Sequence, residues 1–306
     1  MKVELDGVLP VLKPAGMTSH DVVARVRRLL RTRKIGHTGT LDPDVTGVLP
    51  LCLGRATRAV EWLQEMPKSY EAVMKIGIAT DTDDESGTVV ETAENVRVTE
   101  QEVARALQSF VGDIEQIPPM VSAVKIGGRR LYEWAREGVE VERQPRKVHI
   151  YELNVLDMRL DEPYPEIRFF VRCSKGTYIR TLCADIGRAL GYPAVMSSLV
   201  RTSSGPFHLR QCLSLERIAE LQEHGTIAAA LTPVDEALSH FPKAEVPAAY
   251  AAKAACGAKL PRRALLGRMP EGTGLFRLYS AEGEFIGVFR LDEKRGEVAA
   301  VKVFAT

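Results

Sequence analysis

The stretch Gly36-His37-Thr38-Gly39-Thr40-Leu41-Asp42-Pro43-Asp44-Val45-Thr46-Gly47-Val48-Leu49-Pro50 sets one carboxylate inside a glycine-punctuated loop directly behind a strongly basic segment. Glycines at 36, 39 and 47 permit backbone angles and close approaches barred to other residues, while Pro43 fixes its own φ and pushes Asp42 toward an extended conformation. Asp42 is therefore held in place, which makes it the first candidate for chemistry. Taken alone, an Asp-Pro in a Thr/Gly-rich stretch reads as an Asx-type turn whose carboxylate caps local amides. Its surroundings argue for more.

Upstream, Thr18-x-x-Asp21 is a capping-box pattern that opens a helix, with Val22, Val26 and Leu29, joined by Val23 and Leu30, as its apolar stripe. From Arg25 to Lys34 there are six basic residues and no acid, on a chain of 306 residues whose net charge is only +1. Residues 241–306 carry 11 Lys/Arg against 7 Asp/Glu, which leaves the first 240 at a net −3. The chain as a whole is no polycation, so a nucleic-acid surface must come from local segregation of charge. A basic stripe on a near-neutral body is such a footprint, although a solvated face looks similar. The length predicts about two domains and a core that needs no staples. Cys52, Cys173, Cys183, Cys212 and Cys256 form no C-x-x-C pair or zinc-ligand spacing and fit reduced thiols in a cytosolic protein. A charged N-terminus and the absence of any apolar run near the ~20 residues of a membrane span predict a chain that is neither exported nor membrane-spanning.

Downstream, a short apolar stretch from Val48 to Leu53 precedes a helical pattern from Ala56 to Gln64. Tyr70, Ala72, Met74, Ile76 and Ile78 then alternate with other residues at the period of a strand with one buried face, and Tyr70 stands on the inward parity. The acidic turn Asp81-Thr82-Asp83-Asp84-Glu85-Ser86-Gly87 fails as a calcium loop, because Ser86 and Thr92 occupy the positions that need Gly and Glu. Thr99-x-x-Glu102 opens a second capped helix, expected to end at Gly112. Residues 121–147 read as an insertion: a strand from Val121 to Ile126, a Gly127-Gly128 hinge, a short helix from Leu131 to Arg136, then Gly138. Seven Lys/Arg there, Arg129 and Arg130 among them, interleave with Tyr132 and Trp134, which suits a clamp on RNA as well as an ordinary surface loop. Phe169 to Cys173 reads as a buried strand running into a helix from Thr177 to Leu190. Pro233, Pro242 and Pro247 punctuate a linker, and three short strands, Gly274 to Ser280, Glu284 to Leu291 and Val298 to Phe304, close the chain.

Four stretches carry a resemblance: Lys13-Pro14-Ala15-Gly16-Met17-Thr18-Ser19, the loop Gly36 to Pro43, Lys68-Ser69-Tyr70-Glu71-Ala72 and Cys173-Ser174-Lys175-Gly176-Thr177-Tyr178-Ile179-Arg180-Thr181-Leu182. In this order they resemble the motifs of the TruB family of tRNA pseudouridine synthases, over most of residues 8–210. The resemblance implies an α+β fold, the pseudouridine synthase fold, with a mixed, mostly antiparallel sheet flanked by helices. It divides the chain into a catalytic domain at 1–235, its thumb insertion at 121–147, and an all-β PUA-like RNA-binding domain at 236–306. The implied activity is isomerisation of uridine 55 in the T loop of tRNA, with no cofactor and no metal. Pseudouridine formation breaks the bond from uracil N1 to ribose C1′ and rejoins the base through C5, so nothing is oxidised or reduced. A carboxylate nucleophile must be ionised, and a buried one needs a cation close by. The resemblance makes Asp42 that nucleophile, Arg180 its bidentate partner, and Tyr70 the stacking and proton-relaying group. It makes His37 the residue that fills the gap left by a flipped base, and Leu199 a lining of the pocket. Tyr178, Lys13, Arg129 and Arg130 are further expected substrate contacts. The sequence departs from the family at Val45, Arg58, Val195 and Val200, where Ala, Lys, His and Arg are usual. The implied partner is the tRNA T stem-loop, bound by a cytoplasmic monomer with no obligate protein partner and no membrane contact. A guide-RNA-dependent relative, or an RNA chaperone with an idle pocket, are the alternatives.

Overall fold

The computed structural model of the chain describes residues 5–267 and 274–305; the charged residues 1–4 lie outside the described part. Strand β1 (Gly7–Lys13) leads into α1 (Ser19–Leu30), which opens with the expected reciprocal bonds between Thr18 and Asp21. Its valines face inward and Arg25, Arg27 and Arg28 face solvent. β2 (Ile35–His37) and β3 (Thr46–Leu53) flank the glycine loop as an antiparallel pair. The helix expected from Ala56 splits into a 3-10 segment, Gly54–Ala59, and α2 (Val60–Glu65). There the Thr57 hydroxyl donates to the Gly54 carbonyl at 2.7 Å, a local bond that competes with the regular helix.

β4 (Lys68–Ile76) keeps the alternating burial expected around Tyr70 but stops before Ile78. The cause is Gly77, at φ +100, where a Cβ would come within 2.7 Å of Val96 and 3.0 Å of Tyr164. The chain resumes as the hairpin β5 (Ile78–Thr80) and β6 (Val89–Thr92). α3 (Glu100–Gln108) carries the expected Thr99/Glu102 capping box, but it ends at Ser109, and Gly112 instead begins β7 (Gly112–Gln116).

In the insertion, the expected strand shrinks to β8 (Lys125–Ile126), paired with β9 (Arg129–Arg130), and α4 (Leu131–Arg136) follows as expected. Gly127-Gly128, the expected hinge, joins β8 to β9. Both residues have left-handed φ, +61° and +85°, and form a two-residue hairpin turn of the kind that matches strand twist.

β10 (Arg146–Arg159) and β11 (Glu166–Cys173) precede α5 (Ile179–Leu190), which begins after Tyr178 and which Gly191 ends in the left-handed conformation. Next come β12 (Ala194–Ser204), β13 (Phe207–His208) and α6 (Leu215–Glu223). Pro233 and Pro247, read as linker residues, directly precede α7 (Val234–Ala237) and α8 (Ala248–Ala255), where a missing N–H costs no helical bond. β14 (Lys243–Val246), β15 (Leu260–Pro261), β16 (Phe276–Ser280), β17 (Phe285–Asp292) and β18 (Glu297–Val303) complete the chain.

The first thirteen strands, except the β5–β6 and β8–β9 hairpins, form one sheet in the order β1-β3-β12-β4-β11-β10-β7, with β2 on β3 and β13 on β12. Only the β3–β12 pairing is parallel. α3 and α5 bury Val103, Leu107, Leu182 and Ile186 against Met74 and Phe169 of this sheet. α1 and α6 bury Val22, Val26 and Ile218 against Leu9, Leu49 and Leu51. Each such side chain contributes about 1.5–3 kcal/mol on burial, enough to hold β4 at the centre and make it a rigid base for Tyr70.

The C-terminal strands form a second sheet, β14-β16-β17-β18-β15, around Phe276, Leu278, Phe289 and Val298. Val288 and Phe304 of this module share a core with Val8, Cys52 and Phe207 of the first. Trp62 meets Phe241 edge-on at 5.7 Å, and Arg58, a departure from the family pattern, donates to the Val303 carbonyl at 2.6 Å.

Candidate active site

The loop between β2 and β3 is tied down from two sides. The Lys13 ammonium, fully buried, donates to the carbonyls of Pro14 at 2.9 Å and of Pro43 and Val45 at 2.7 Å. Ser19 Oγ accepts from the Leu41 amide at 2.9 Å. From β12, the Arg201 guanidinium donates to the carbonyls of Val48 at 2.7 Å, Gly39 at 3.2 Å and Thr40 at 3.4 Å. Gly47 is required at the contact, since at φ +117 a Cβ there would sit 2.2 Å from the Arg201 carbonyl oxygen. Lys13 was expected to touch substrate. All three of its hydrogens are spent on loop carbonyls, so it braces the loop instead, and burial pulls its pKa down to about 8.

The Asp42 carboxylate meets Arg180 Nε at 3.0 Å. Two expectations need correction. Arg180 is not bidentate, because Nη1 donates to the Thr82 carbonyl at 2.9 Å and Nη2 to the Val121 carbonyl at 2.8 Å. Nor is Asp42 desolvated: 43% of its side chain is exposed, against 3% for Arg180. Arg180 therefore joins three segments, the Asp42 loop, the acidic turn and the root of the insertion. Asp84, at 3.6 Å from Arg180 Nε, faces the same cation. Its other oxygen accepts from Thr82 Oγ1 at 2.8 Å and the Ser86 amide at 3.0 Å. The acidic turn rejected as a calcium loop is thus a wall of the site. Among the described residues no cluster of three or more His, Cys, Asp or Glu could hold a metal.

Asp42, Tyr70, Tyr178, Arg180, Leu199 and Arg201 line one cavity of 330 Å³. Tyr70 pairs with Val171 and Arg201 across β4, which sets its ring beside the loop. Burial raises the Tyr70 phenol pKa, with the Arg201 charge opposing it, and burial likewise raises that of Tyr178. His37 stands outside this lining, at the end of β2. Its ring lies edge-on to His20 at 5.4 Å, Nδ1 accepts from the Gly39 amide at 3.3 Å, and burial lowers its pKa. Arg129 and Arg130 also lie outside the cavity, on the β8–β9 hairpin. Arg129 covers the Trp134 ring at 4.0 Å and pairs with Glu137 at 2.5 Å. Only the root of the insertion, Ser122 and Ala123, reaches the cavity.

Sequence reasoning missed Lys68, Asp84 and Arg201. Lys68 sits inside a stretch that carries the resemblance and Arg201 lies two residues past Leu199, yet nothing local announces that they are buried cations. The basic run after Val23 stays in solvent: Arg25, Arg27, Arg28, Arg31, Arg33 and Lys34 are exposed and form no ion pair among the described residues.

Comparison with known proteins gives this geometry a family. Residues 27–179 match the TruB family pseudouridylate synthase N-terminal domain, and residues 180–239 match the tRNA pseudouridylate synthase B C-terminal domain. A tRNA pseudouridine synthase B of Halalkalibacterium halodurans is 45% identical over 306 residues, covering 99% of each chain. One from Geobacillus thermodenitrificans is 48% identical over 308 residues, covering 98% of this chain and 100% of the relative. Among solved structures, a chain of an H/ACA RNP bound to a substrate RNA containing 2′-deoxyuridine is 28% identical with a TM-score of 0.75, covering 99% of this chain and 86% of that one. A chain of a Cbf5-Nop10-Gar1 complex is 30% identical with a TM-score of 0.73, covering 99% of this chain and 84% of that one. The first sheet with its helices is the pseudouridine synthase fold, and the second is a PUA-like module. On a profile match across most of the chain and full-length identity well above 40%, the chain belongs to the TruB family of pseudouridine synthases.

Proposed function

We propose that this chain is a cytoplasmic tRNA pseudouridine synthase that isomerises uridine 55 of the T loop, with Asp42 as its nucleophile. The observation that carries the reading is the Asp42–Arg180 pair, 3.0 Å apart in a cavity that also contains Tyr70 and Leu199. A base stacked in folded RNA must be flipped to reach such a cavity. The Tyr70 ring, held by the centre of the sheet, stacks on the extruded uracil, and its phenol relays the proton that leaves C5. Leu199 and Tyr178 confine the base, and His37 fills the space it vacates. Arg129 and Arg130 grip the RNA backbone from the hairpin of the insertion. The division at residues 235/236 makes the PUA-like module a second RNA contact, and the enzyme works as a monomer.

The test is incubation of the purified protein with an unmodified tRNA transcript, followed by mapping of pseudouridine. Conversion at position 55 without added protein or guide RNA is expected, and Asp42→Asn should abolish it while tRNA affinity stays within a few fold. The relatives in H/ACA and Cbf5-Nop10-Gar1 assemblies favour a second reading, a synthase that needs partner proteins. Turnover that appears only on adding such partners would decide for it. The full-length identity to tRNA pseudouridine synthase B relatives favours the first.

A further inference from the structure

Two buried lysines in this molecule differ in one respect. Lys13 has three carbonyl acceptors for three hydrogens. Lys68, 6% exposed and in the wall of the Asp42 cavity, has two: its Nζ donates to the Met66 carbonyl at 2.7 Å and to the Gln64 carbonyl. One ammonium hydrogen has no protein acceptor among the described residues. Arg201, 1% exposed in the same wall, donates to three carbonyls and faces the Tyr70 phenol. Neither cation has a carboxylate within ion-pair distance among the described residues. Asp42 is engaged by Arg180, and Glu65, the nearest acid to Lys68 in sequence, is paired with Lys175. The neighbouring Cys173 thiol is pushed up to about 11 by burial, so it supplies no anion. Buried cations without a counter-ion are costly unless a ligand completes them. A buried hydroxyl of the same wall, Thr38 Oγ1, likewise lacks a partner among the described residues.

The reaction offers such a ligand for a moment. When the C1′–N1 bond breaks, its electron pair stays on N1, and the uracil becomes an anion whose charge spreads over N1, O2 and O4. The Asp42 carboxylate supplies the pair that bonds C1′, so the negative charge passes from Asp42, beside Arg180, to the base. After the base turns, C5 attacks C1′ with the ring's electron pair, the C1′–Asp42 bond breaks back onto the carboxylate, the C5 hydrogen leaves as a proton, and N1 takes one up, so the product is a neutral isomer of uridine. We infer that Lys68, with Arg201 behind it, forms the anion site for the departing uracil, the Lys68 ammonium donating its free hydrogen to a ring oxygen. It is a catalytic residue that acts on charge present only after bond cleavage, which is where a preorganised cation accelerates chemistry.

This rests on the function proposed above, and the test separates the two. Single-turnover cleavage is measured for Lys68→Met and Lys68→Gln on a tRNA carrying uridine or 5-fluorouridine at the target position. Fluorine makes the base a better leaving group that needs less help. Removing one donor to a developing anion costs roughly 10²–10³-fold in rate. Both variants should lose about that much on uridine and at least tenfold less on 5-fluorouridine. Lys68→Gln keeps donors for the Gln64 and Met66 carbonyls and so guards against a folding artefact. Equal losses on both substrates, no loss, or the disappearance of the folding transition in both variants would overturn the proposal and leave Lys68 a brace for the end of α2. A wild type that isomerises no uridine would sink the function and this proposal together.

Discussion

Arg180→Met keeps most of the side-chain volume while removing a guanidinium that ties the Asp42 loop to Thr82 and Val121. Removing one partner of a fully buried ion pair costs about 3–5 kcal/mol. Here the Coulomb part is screened, because nearly half of the Asp42 side chain can rehydrate. The two carbonyls cannot compensate as easily, and each loses a charge-assisted bond worth about 1.5–3 kcal/mol. Met in turn avoids the cost of burying a charge. The balance is a destabilisation of about 2–3 kcal/mol, or roughly 4–12 °C in Tm at the scale of 2–4 °C per kcal/mol. The rate loss should be larger, since a 1 Å misplacement of a reacting group is worth about 10²-fold. Lys at this position keeps the charge but lacks the planar fork that reaches the three segments from fixed directions, so Arg180→Lys should fall between wild type and Met in both properties. Urea denaturation, single-turnover kinetics and hydrogen exchange at residues 83–85 and 122–125 report the three consequences. If Arg180→Met lost activity while stability and exchange at both segments stayed at wild-type values, the guanidinium would act by charge alone and the three-way tie would be wrong.

Gly47→Ala should destabilise by about 3 kcal/mol or more through its clash with the Arg201 carbonyl. Gly16→Ala, at φ +77 with open space around it, should cost only ~1 kcal/mol, and similar urea midpoints for the two would refute the close-contact reading. Lys13 titrates near 8 in the fold against 10.5 in the unfolded chain, so between those values the unfolded state binds more protons and the site's contribution to stability rises with pH. Lys13→Met should flatten the rise measured by denaturation at pH 7.5, 9 and 10; an unchanged pH profile would count against it. Replacing Arg27, Arg28 and Arg33 with Ser should weaken binding to all RNAs alike and reduce the log–log salt slope by ~0.7 per lost single-strand phosphate contact. An unaltered slope would make this run a solvated face.

Local rules carried the sequence reading where contacts are local. The Thr18/Asp21 and Thr99/Glu102 boxes, the Leu131–Arg136 helix and the alternation around Tyr70 are decided within a few residues, and the structure keeps them. The meeting of Asp42 and Arg180 was legible because motif and resemblance together pointed to both. The failures are long-range or geometric. Lys13 looks like any solvent lysine until Pro43 and Val45 fold over it, 30 and 32 residues away. The partition of Arg180 among three segments needs coordinates, because a guanidinium has five hydrogens and no sequence signal for where each goes. Gly127-Gly128 satisfies a hinge and a tight hairpin turn equally well as text, and the pairing of Lys125 with Arg130 selects the turn.

The central position of β4 has a consequence in time. Its neighbours β11 and β12 are synthesised long after it, and Arg201 reaches back 161 residues to the Thr40 carbonyl. At about 5–20 residues per second of translation, the Asp42 loop leaves the ribosome roughly 8–30 s before the guanidinium that secures it exists. Through that interval the nascent chain carries the complete loop motif beside a β4 that lacks both neighbours and a β3 with one edge open, and open edges are templates for mispairing. Closure over such separations is slow for an isolated domain as well. Fragments that stop before β12 therefore hold every residue of the Asp42–Tyr70–Arg180 set without the strand that supplies Leu199 and Arg201, and the cavity they line is closed only in the finished sheet.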